Sequence, residues 1–231
     1  MKKHIPNTIT CCNLISGCIA TVFALKGSAE MALLWIVIGA VFDFFDGMSA
    51  RLLGVSSPIG KELDSLADVV TFGVAPSAIV FAFLNTSHLS SLSYVAFVMA
   101  AFSALRLAKF NLDERQTTSF IGLPTPANAL FWGSLITWLH SQTMFEPYRL
   151  PSYIYYGVVL MLLVSCYLLV AELPLFALKF KHWGWKGNEV KYVFLVTSAL
   201  LIGVLGIIGI AAVIAWYVVL SVATNRRQSL T

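Results

Sequence analysis

Long apolar segments separated by short polar ones run through the whole chain. A helix needs about 20 predominantly apolar residues to cross a hydrocarbon core about 30 Å thick. By this criterion we predict eight spans, at roughly 9–25, 31–51, 64–85, 92–110, 127–144, 153–173, 190–207 and 209–224. The last two belong to one apolar run that either folds back near Gly203, Gly206 and Gly209 or crosses once at a steep tilt.

The distribution of lysine and arginine favours the folded-back arrangement. Cytoplasmic loops of membrane proteins carry an excess of these residues. With eight spans and a cytoplasmic N-terminus, only Lys26 and Arg149 of the 15 lysines and arginines fall on the outer side. A seven-span chain would move Arg226 and Arg227 outward and weaken the bias. We therefore predict an all-α integral membrane protein, a polytopic helical bundle of about eight transmembrane helices with both termini cytoplasmic.

Composition agrees with this fold class. The chain is 58% hydrophobic and only 11% charged, whereas soluble domains carry about 25% charged residues. The net charge of +4 is small and dispersed, so we expect no nucleic-acid partner. Membrane lipid is the expected surrounding, in the cytoplasmic (inner) membrane of the cell.

Four aspartates stand out against this apolar background. An ionised carboxylate within a membrane helix costs on the order of 2.5–3.5 kcal/mol on insertion scales. Spacings of three and four residues place the members of each pair on one helix face, and packing of the two helices would bring all four together. Hard divalent cations such as Mg²⁺ or Mn²⁺ prefer such oxygen ligands. The four lie at the cytoplasmic ends of the second and third spans: Asp43, Asp46, Asp64 and Asp68.

Carboxylates in membrane helices are equally typical of ion pathways in transporters. A pathway would need acidic groups through the full thickness of the membrane. Here all four aspartates cluster at one edge, which favours an enzyme with its active site facing the cytoplasm over a transporter.

The aspartates belong to a longer pattern, D-x2-D-G-x2-A-R-x8-G-x3-D-x3-D, which runs from Asp43 to Asp68 without a departure. This pattern resembles the signature of the CDP-alcohol phosphotransferase family, membrane enzymes that release CMP from a CDP-linked substrate. The resemblance implies a six-helix catalytic membrane core over residues 1–175 and a homodimer. Residues 176–231, a basic cytoplasmic loop and a C-terminal transmembrane hairpin, would then be an addition.

The surroundings of the last two aspartates bear on the acceptor alcohol. The pattern D-S-x-A-D-x-x-x-F-G-x-A-P, from Asp64 to Pro76, resembles the family members that transfer a phosphatidyl group from CDP-diacylglycerol to L-serine. The stretches 104–111 and 122–128 are similar to the same members. A different acceptor, glycerol 3-phosphate or an inositol phosphate, remains the alternative.

The resemblance also implies roles for individual residues. Two divalent cations, Mg²⁺ or Mn²⁺, would be held by Asp43, Asp46, Asp64 and Asp68. Asp68 would also be the general base for in-line attack by the serine hydroxyl. The CDP group would be bound by Asn13, Gly47, Ala50, Arg51 and Gly60, and the serine by Thr71, Arg106, Lys109 and Asn111. For Asn13 a hydrogen bond between helices is the alternative, and for Arg106 and Lys109 a purely topological role.

Overall fold

The computed structural model describes residues 4–55, 57–87, 90–112, 120–145, 150–176, 184–185 and 188–228. Within these residues the chain forms nine α-helices and one short antiparallel strand pair. The helices are α1 (His4–Leu25), α2 (Ala29–Leu53), α3 (Pro58–Asp68), α4 (Ala75–Asn85), α5 (Val98–Leu112), α6 (Thr125–Phe145), α7 (Ser152–Val170), α8 (Glu189–Leu205) and α9 (Ile207–Gln228). The strands are β1 (Phe120–Ile121) and β2 (Pro174–Leu175).

Two helices are extended by segments of different helical pitch. A π-helical segment, Val69–Val74, joins α3 to α4, so that residues 58–85 form one continuous helical rod. A 3₁₀ segment, Ser90–Phe97, leads directly into α5. The chain thus contains eight helical rods within the described residues, at the positions of the eight predicted spans.

Six of these rods are long and apolar enough to cross a membrane, which supports an integral helical membrane protein. The two that fall short do so for different reasons. Helix α8 has only 17 residues. Helix α6 carries polar residues such as Asn128 and Thr137, which are buried inside the bundle. The count of eight spans and the cytoplasmic position of the termini stay predictions.

The centre of the bundle is made by small residues on α1 and α2 and by large ones around them. Ala20 and Ala32 are completely buried and let these two helices approach closely. Trp132 on α6 is also completely buried, and its Nε1–H donates to Ser165 Oγ on α7 at 3.0 Å. The outer surface stays apolar: Leu160, for example, is 66% exposed. An apolar exterior is what lipid chains require of a membrane-embedded bundle.

The C-terminal apolar run folds back, as the distribution of positive charge predicted. Gly206 separates α8 from α9 with a φ of 64°. Trp216 Nε1–H on α9 donates to Thr197 Oγ1 on α8 at 3.0 Å, so the two helices lie side by side. Helix α9 packs against α6, and the Tyr217 hydroxyl donates to the Phe176 carbonyl at 2.9 Å. The division into residues 1–175 and 176–231 stays a prediction. The basic loop of residues 179–186 lies, apart from 184–185, outside the described residues.

Candidate active site

The turn between α2 and α3 places the aspartates at one end of the bundle. Helix α2 ends at Gly54, whose φ of 61° lies in the left-handed region that glycine tolerates. Helix α3 begins with Ser57 as its N-cap, since Ser57 Oγ accepts a hydrogen bond from the Gly60 N–H at 3.0 Å, and Pro58 fills the first helical position. Helix α1 packs against both α2 and α3 and holds them around one site.

Three of the four aspartates form a tight cluster. Asp43 on α2 and Asp64 and Asp68 on α3 each offer one carboxylate oxygen, and these three atoms lie within 4.8 Å of one another. The convergence expected from helix geometry is confirmed for these three. Their charges repel one another, and Asp68 is only 8% exposed. Such an arrangement calls for a cation.

The fourth aspartate lies beside this cluster. Asp46 is buried, and the Thr10 hydroxyl on α1 donates to its Oδ2 at 2.6 Å. Its charge acts on both Asp43 and Asp64. Asp46 is thus near enough to interact electrostatically with the cluster, and α1 holds its carboxylate through Thr10.

The donor set fits a hard divalent cation. All four side chains offer carboxylate oxygens, the ligand type preferred by Mg²⁺ and Mn²⁺. In addition, Asp64 Oδ1 is buried and has no hydrogen-bond partner among the residues that the structure describes. A buried carboxylate oxygen without a partner is costly, and a bound cation would remove that cost.

A cavity of about 260 Å³ opens next to the carboxylates between α1, α2 and α3. Three of the residues predicted to contact CDP line it, and Gly47 leaves open space where a side chain would stand. Of the other two, Arg51 is exposed and is not among the described lining residues, and neither is Asn13. The lining residues are Pro6, Asn7, Thr10, Asp46, Gly47, Ala50, Val55, Ser57, Gly60, Lys61 and Asp64.

Asn13 contacts one of the carboxylates and is not among the described residues that line the cavity. It is completely buried, and its Nδ2–H donates to Asp68 Oδ1 at 3.1 Å. This contact joins α1 to α3, so the alternative of a hydrogen bond between helices is confirmed. A direct contact between Asn13 and the nucleotide stays a prediction.

Arg106 on α5 is a cationic side chain near Asp68. It is only 8% exposed and interacts electrostatically with Asp68. Its guanidinium carbon lies 5.8 Å from the centre of the Phe110 ring, while its Nε has no hydrogen-bond partner. A buried guanidinium with an unsatisfied donor is suited to bind an anionic group.

The other residues predicted to bind the acceptor occupy different environments. Lys109 is exposed, and Asn111 Nδ2–H donates to Ser65 Oγ at 2.7 Å. Thr71 is completely buried, and its hydroxyl donates to the Asn13 carbonyl at 3.0 Å. A residue this enclosed packs helices together, and its contact with an acceptor stays a prediction.

Several residues of the site were not assigned from the sequence. One is Thr10, whose hydroxyl donates to Asp46 Oδ2. Three further residues line the cavity: Asn7 lies outside the recognised pattern, and Ser57 and Lys61 occupy variable positions within it. For Ser57 there was a signal, since serine followed by proline is typical of a helix N-terminus.

Comparison with known proteins places these features in a family context. The family model described as CDP-alcohol phosphatidyltransferase matches residues 3–180. The chain is 41% identical over 128 residues to the CDP-diacylglycerol–serine O-phosphatidyltransferase of Bacillus subtilis (strain 168), covering 54% of this chain and 70% of that protein. It is 33% identical over 186 residues to the protein of the same name from Methanocaldococcus jannaschii, covering 75% and 87%.

Other relatives of that name are matched over a smaller share of their length. The Helicobacter pylori (strain J99) protein is 37% identical over 127 residues, which cover 54% of each chain. The chain thus spans about half the length of some of the curated relatives it matches and most of the length of others.

Proposed function

Because the chain belongs to the CDP-alcohol phosphatidyltransferase family, we propose that it transfers the phosphatidyl group of CDP-diacylglycerol to the hydroxyl of L-serine. The products are phosphatidylserine and CMP. The observation that carries the proposal is the cluster of Asp43, Asp64 and Asp68 oxygens within 4.8 Å of one another. The position of these carboxylates beside a cavity of about 260 Å³, which Asp46 and Asp64 line, supports the same proposal.

The nucleotide end of the substrate occupies the cavity between α1, α2 and α3. Gly47, Ala50 and Gly60 present little or no side chain, so a diphosphate approaches the helix backbones closely there. Arg51 is exposed at the end of α2, where a long cationic side chain reaches a phosphate from the solvent side. Asn13 orients Asp68 through the hydrogen bond to its Oδ1.

The aspartates supply the charge that the reaction needs. Two divalent cations, Mg²⁺ or Mn²⁺, held by Asp43, Asp46, Asp64 and Asp68, would neutralise the diphosphate and the leaving CMP. Thr10 holds Asp46 in place through its 2.6 Å hydrogen bond.

Asp68 takes the proton of the acceptor hydroxyl. The Asn13 amide donates to Asp68 Oδ1, which fixes the carboxylate plane and leaves Oδ2 for the proton. In the in-line step the bond from serine oxygen to the lipid-side phosphorus forms, and the bond from that phosphorus to the CMP oxygen breaks. General-base catalysis of this kind contributes about 10²–10⁴ in rate.

Arg106 is the best-placed group for the serine carboxylate. Its buried guanidinium interacts electrostatically with Asp68, and its Nε has no hydrogen-bond partner among the described residues. An amino-acid acceptor bound there brings its hydroxyl towards Asp68 and its carboxylate towards Arg106. Lys109, which is exposed at the same helix end, attracts the anionic end of the acceptor from solution.

The site faces the cytoplasm in this proposal, where serine and nucleotides are dissolved, and the enzyme acts as a homodimer. The serine-accepting relatives support serine. Glycerol 3-phosphate or an inositol phosphate is the second candidate, because a cationic side chain also binds phosphate.

The test is CMP release by purified protein from CDP-diacylglycerol with each acceptor in turn. We expect release that requires serine and Mg²⁺ or Mn²⁺ and that stops when a chelator is added. Release with glycerol 3-phosphate or inositol phosphate, but not with serine, would assign the other acceptor. Transport of an ion without any CMP release would contradict the proposal as a whole.

A further inference from the structure

Two interactions, one electrostatic and one a hydrogen-bonded contact, join α3 and α5 at the end of the bundle that holds the aspartates. Deeper in the bundle, Arg106 on α5 interacts electrostatically with Asp68 on α3. Nearer the helix ends, Asn111 Nδ2–H donates to Ser65 Oγ at 2.7 Å. Since Ser65 directly follows Asp64, the second contact lies next to another carboxylate of the site.

Two further hydrogen bonds close the second contact into a ring. Lys61 Nζ donates to the Asn111 carbonyl at 3.0 Å. The Ser65 hydroxyl donates to the Lys61 carbonyl at 3.2 Å. Lys61 and Ser65 are one helical turn apart, so together they hold both the side chain and the backbone of Asn111. We call these three residues the α3–α5 clamp.

We propose that the α3–α5 clamp positions the acceptor site by fixing the last turn of α5, and with it Arg106, against Asp68. The proposal rests on the proposed function, in which Arg106 and Asp68 receive the two ends of the acceptor. Asn111 is then a positioning residue that acts through Arg106, and it does not itself touch serine.

The position of Arg106 depends on the position of its helix. Among the described residues its guanidinium has the Phe110 ring and the attraction of Asp68, while its Nε has no hydrogen-bond partner. Asn111 lies five positions after Arg106, about 7.5 Å along an α-helix. A stretch this short moves as one piece, so a shift at the clamp displaces the guanidinium.

The clamp and the CDP cavity use different helices. The cavity lies between α1, α2 and α3, whereas the clamp ties α3 to α5. Opening the clamp by changing Ser65 or Asn111, neither of which lines the cavity, therefore weakens acceptor binding and leaves CDP-diacylglycerol binding nearly intact. Lys61 lines the cavity as well and is not a suitable test position.

The experiment is a double-mutant cycle on Ser65→Ala and Asn111→Ala, read as separate KM values for the two substrates. Each single change is expected to raise the KM for serine about fivefold, the usual factor for one lost hydrogen bond, with the KM for CDP-diacylglycerol changed less than twofold. The double variant is expected to match the single ones, because both changes break the same contact. Ser65→Thr keeps the hydroxyl and is expected to restore the KM.

Three results would overturn the clamp. A normal serine KM in Ser65→Ala with a raised one in Asn111→Ala means that Asn111 touches serine directly. Normal values in both mean that the contact has no role, and additive effects mean that the two residues act separately. Failure of the proposed function is detected before any variant is made, because the unmodified protein would then release no CMP with serine. The variants are then compared on the acceptor that does release CMP, and no release with any acceptor overturns both proposals.

Discussion

Asp68 differs from the other three aspartates in what surrounds it. It accepts a hydrogen bond from Asn13 and interacts electrostatically with Arg106. Asp46 instead is held by Thr10, and Asp64 has a buried oxygen with no partner. The four carboxylates are therefore not interchangeable, and changes at each have different expected consequences.

Asp68→Asn is expected to lower serine-dependent CMP release by at least about 10²-fold, because the amide cannot take the hydroxyl proton. The same change removes one of several mutually repelling charges, so the thermal midpoint of the metal-free protein should not fall. Glu62→Gln, an exposed residue of the same helix, is the matched control and should keep full activity. An Asp68→Asn variant with more than a tenth of the normal rate would rule out Asp68 as the base.

Thr10→Val is expected to weaken binding of Mn²⁺ by about tenfold, because residues that orient a metal ligand typically contribute 10–100-fold to affinity. The change removes the 2.6 Å hydrogen bond to Asp46 and keeps the side-chain shape. Thr8→Val is the control, since Thr8 is exposed and bonds only to the His4 carbonyl in its own helix. Equal Mn²⁺ affinities in the two variants would mean that Thr10 does not support a metal site.

For individual residues, the sequence predicted that the aspartates converge but not which side chains form hydrogen bonds with them. Fixed spacings place Asp43, Asp64 and Asp68 on helix faces, and convergence follows once the helices pack. The spacing of the aspartates does not predict which residue of a third helix contacts each carboxylate. Those contacts depend on the axial position of α1 relative to α2 and α3. Thr10 and Asn13 lie on the same helix, and the packing of that helix determines that Thr10 bonds to Asp46 and Asn13 to Asp68.

Among the elements, the π-helical segment after Asp68 fixes how α1, α2 and α3 meet. Thr71 in this segment lies where Gly17 of α1 and Gly39 of α2 approach it. A Cβ added to Gly17 would stand 2.7 Å from the Thr71 Cα, and one added to Gly39 would stand 2.5 Å from Thr71 Cγ2. Both contacts are shorter than atoms tolerate, so the two glycines are needed for this packing.

Gly17→Ala is accordingly expected to destabilise the protein by about 1–3 kcal/mol, the usual cost of overpacking, and to lower activity by separating α1 from α3. Gly157→Ala on α7 is the matched control, because a Cβ there meets nothing within 4 Å. Thermal unfolding of both variants in detergent micelles tests the expectation. Similar midpoints for the two would show that α1 does not pack against Thr71 in this way.

The helices themselves were largely predictable, and their local irregularities were not. Apolar runs gave the positions of all eight rods to within a few residues. The π-helical segment left no trace in the apolar pattern, because one extra residue in a turn does not change composition. The fold-back of the last run was predicted near three glycines, and only the backbone conformation identifies Gly206 as the break.

For the whole molecule, topology is the part that the structure leaves to experiment. Six rods are suited to cross a membrane by length and composition. Helix α6 is too polar and α8 too short to be counted by the same criteria, so the two additional spans of the eight-span prediction depend on the topology of these helices. The side of the membrane on which the aspartates lie rests on the distribution of lysine and arginine.

Thiol labelling of intact cells against permeabilised ones measures this topology. In a background without the native cysteines, Lys26→Cys is expected to react with an impermeant reagent in intact cells, and Glu62→Cys only after permeabilisation. A tag at the C-terminus should also be accessible only after permeabilisation, as eight spans require. Accessibility of that tag in intact cells would indicate an odd number of spans.

The most direct measurement is a titration of the purified protein with Mn²⁺ in the presence of CDP-diacylglycerol, followed by electron paramagnetic resonance. We predict two bound Mn²⁺ ions per chain with magnetic coupling between them, which requires both ions to share one small site. Both should be lost in Asp64→Asn and retained in Glu62→Gln. Uncoupled ions, or binding that survives Asp64→Asn, would contradict a metal site built from the aspartate cluster.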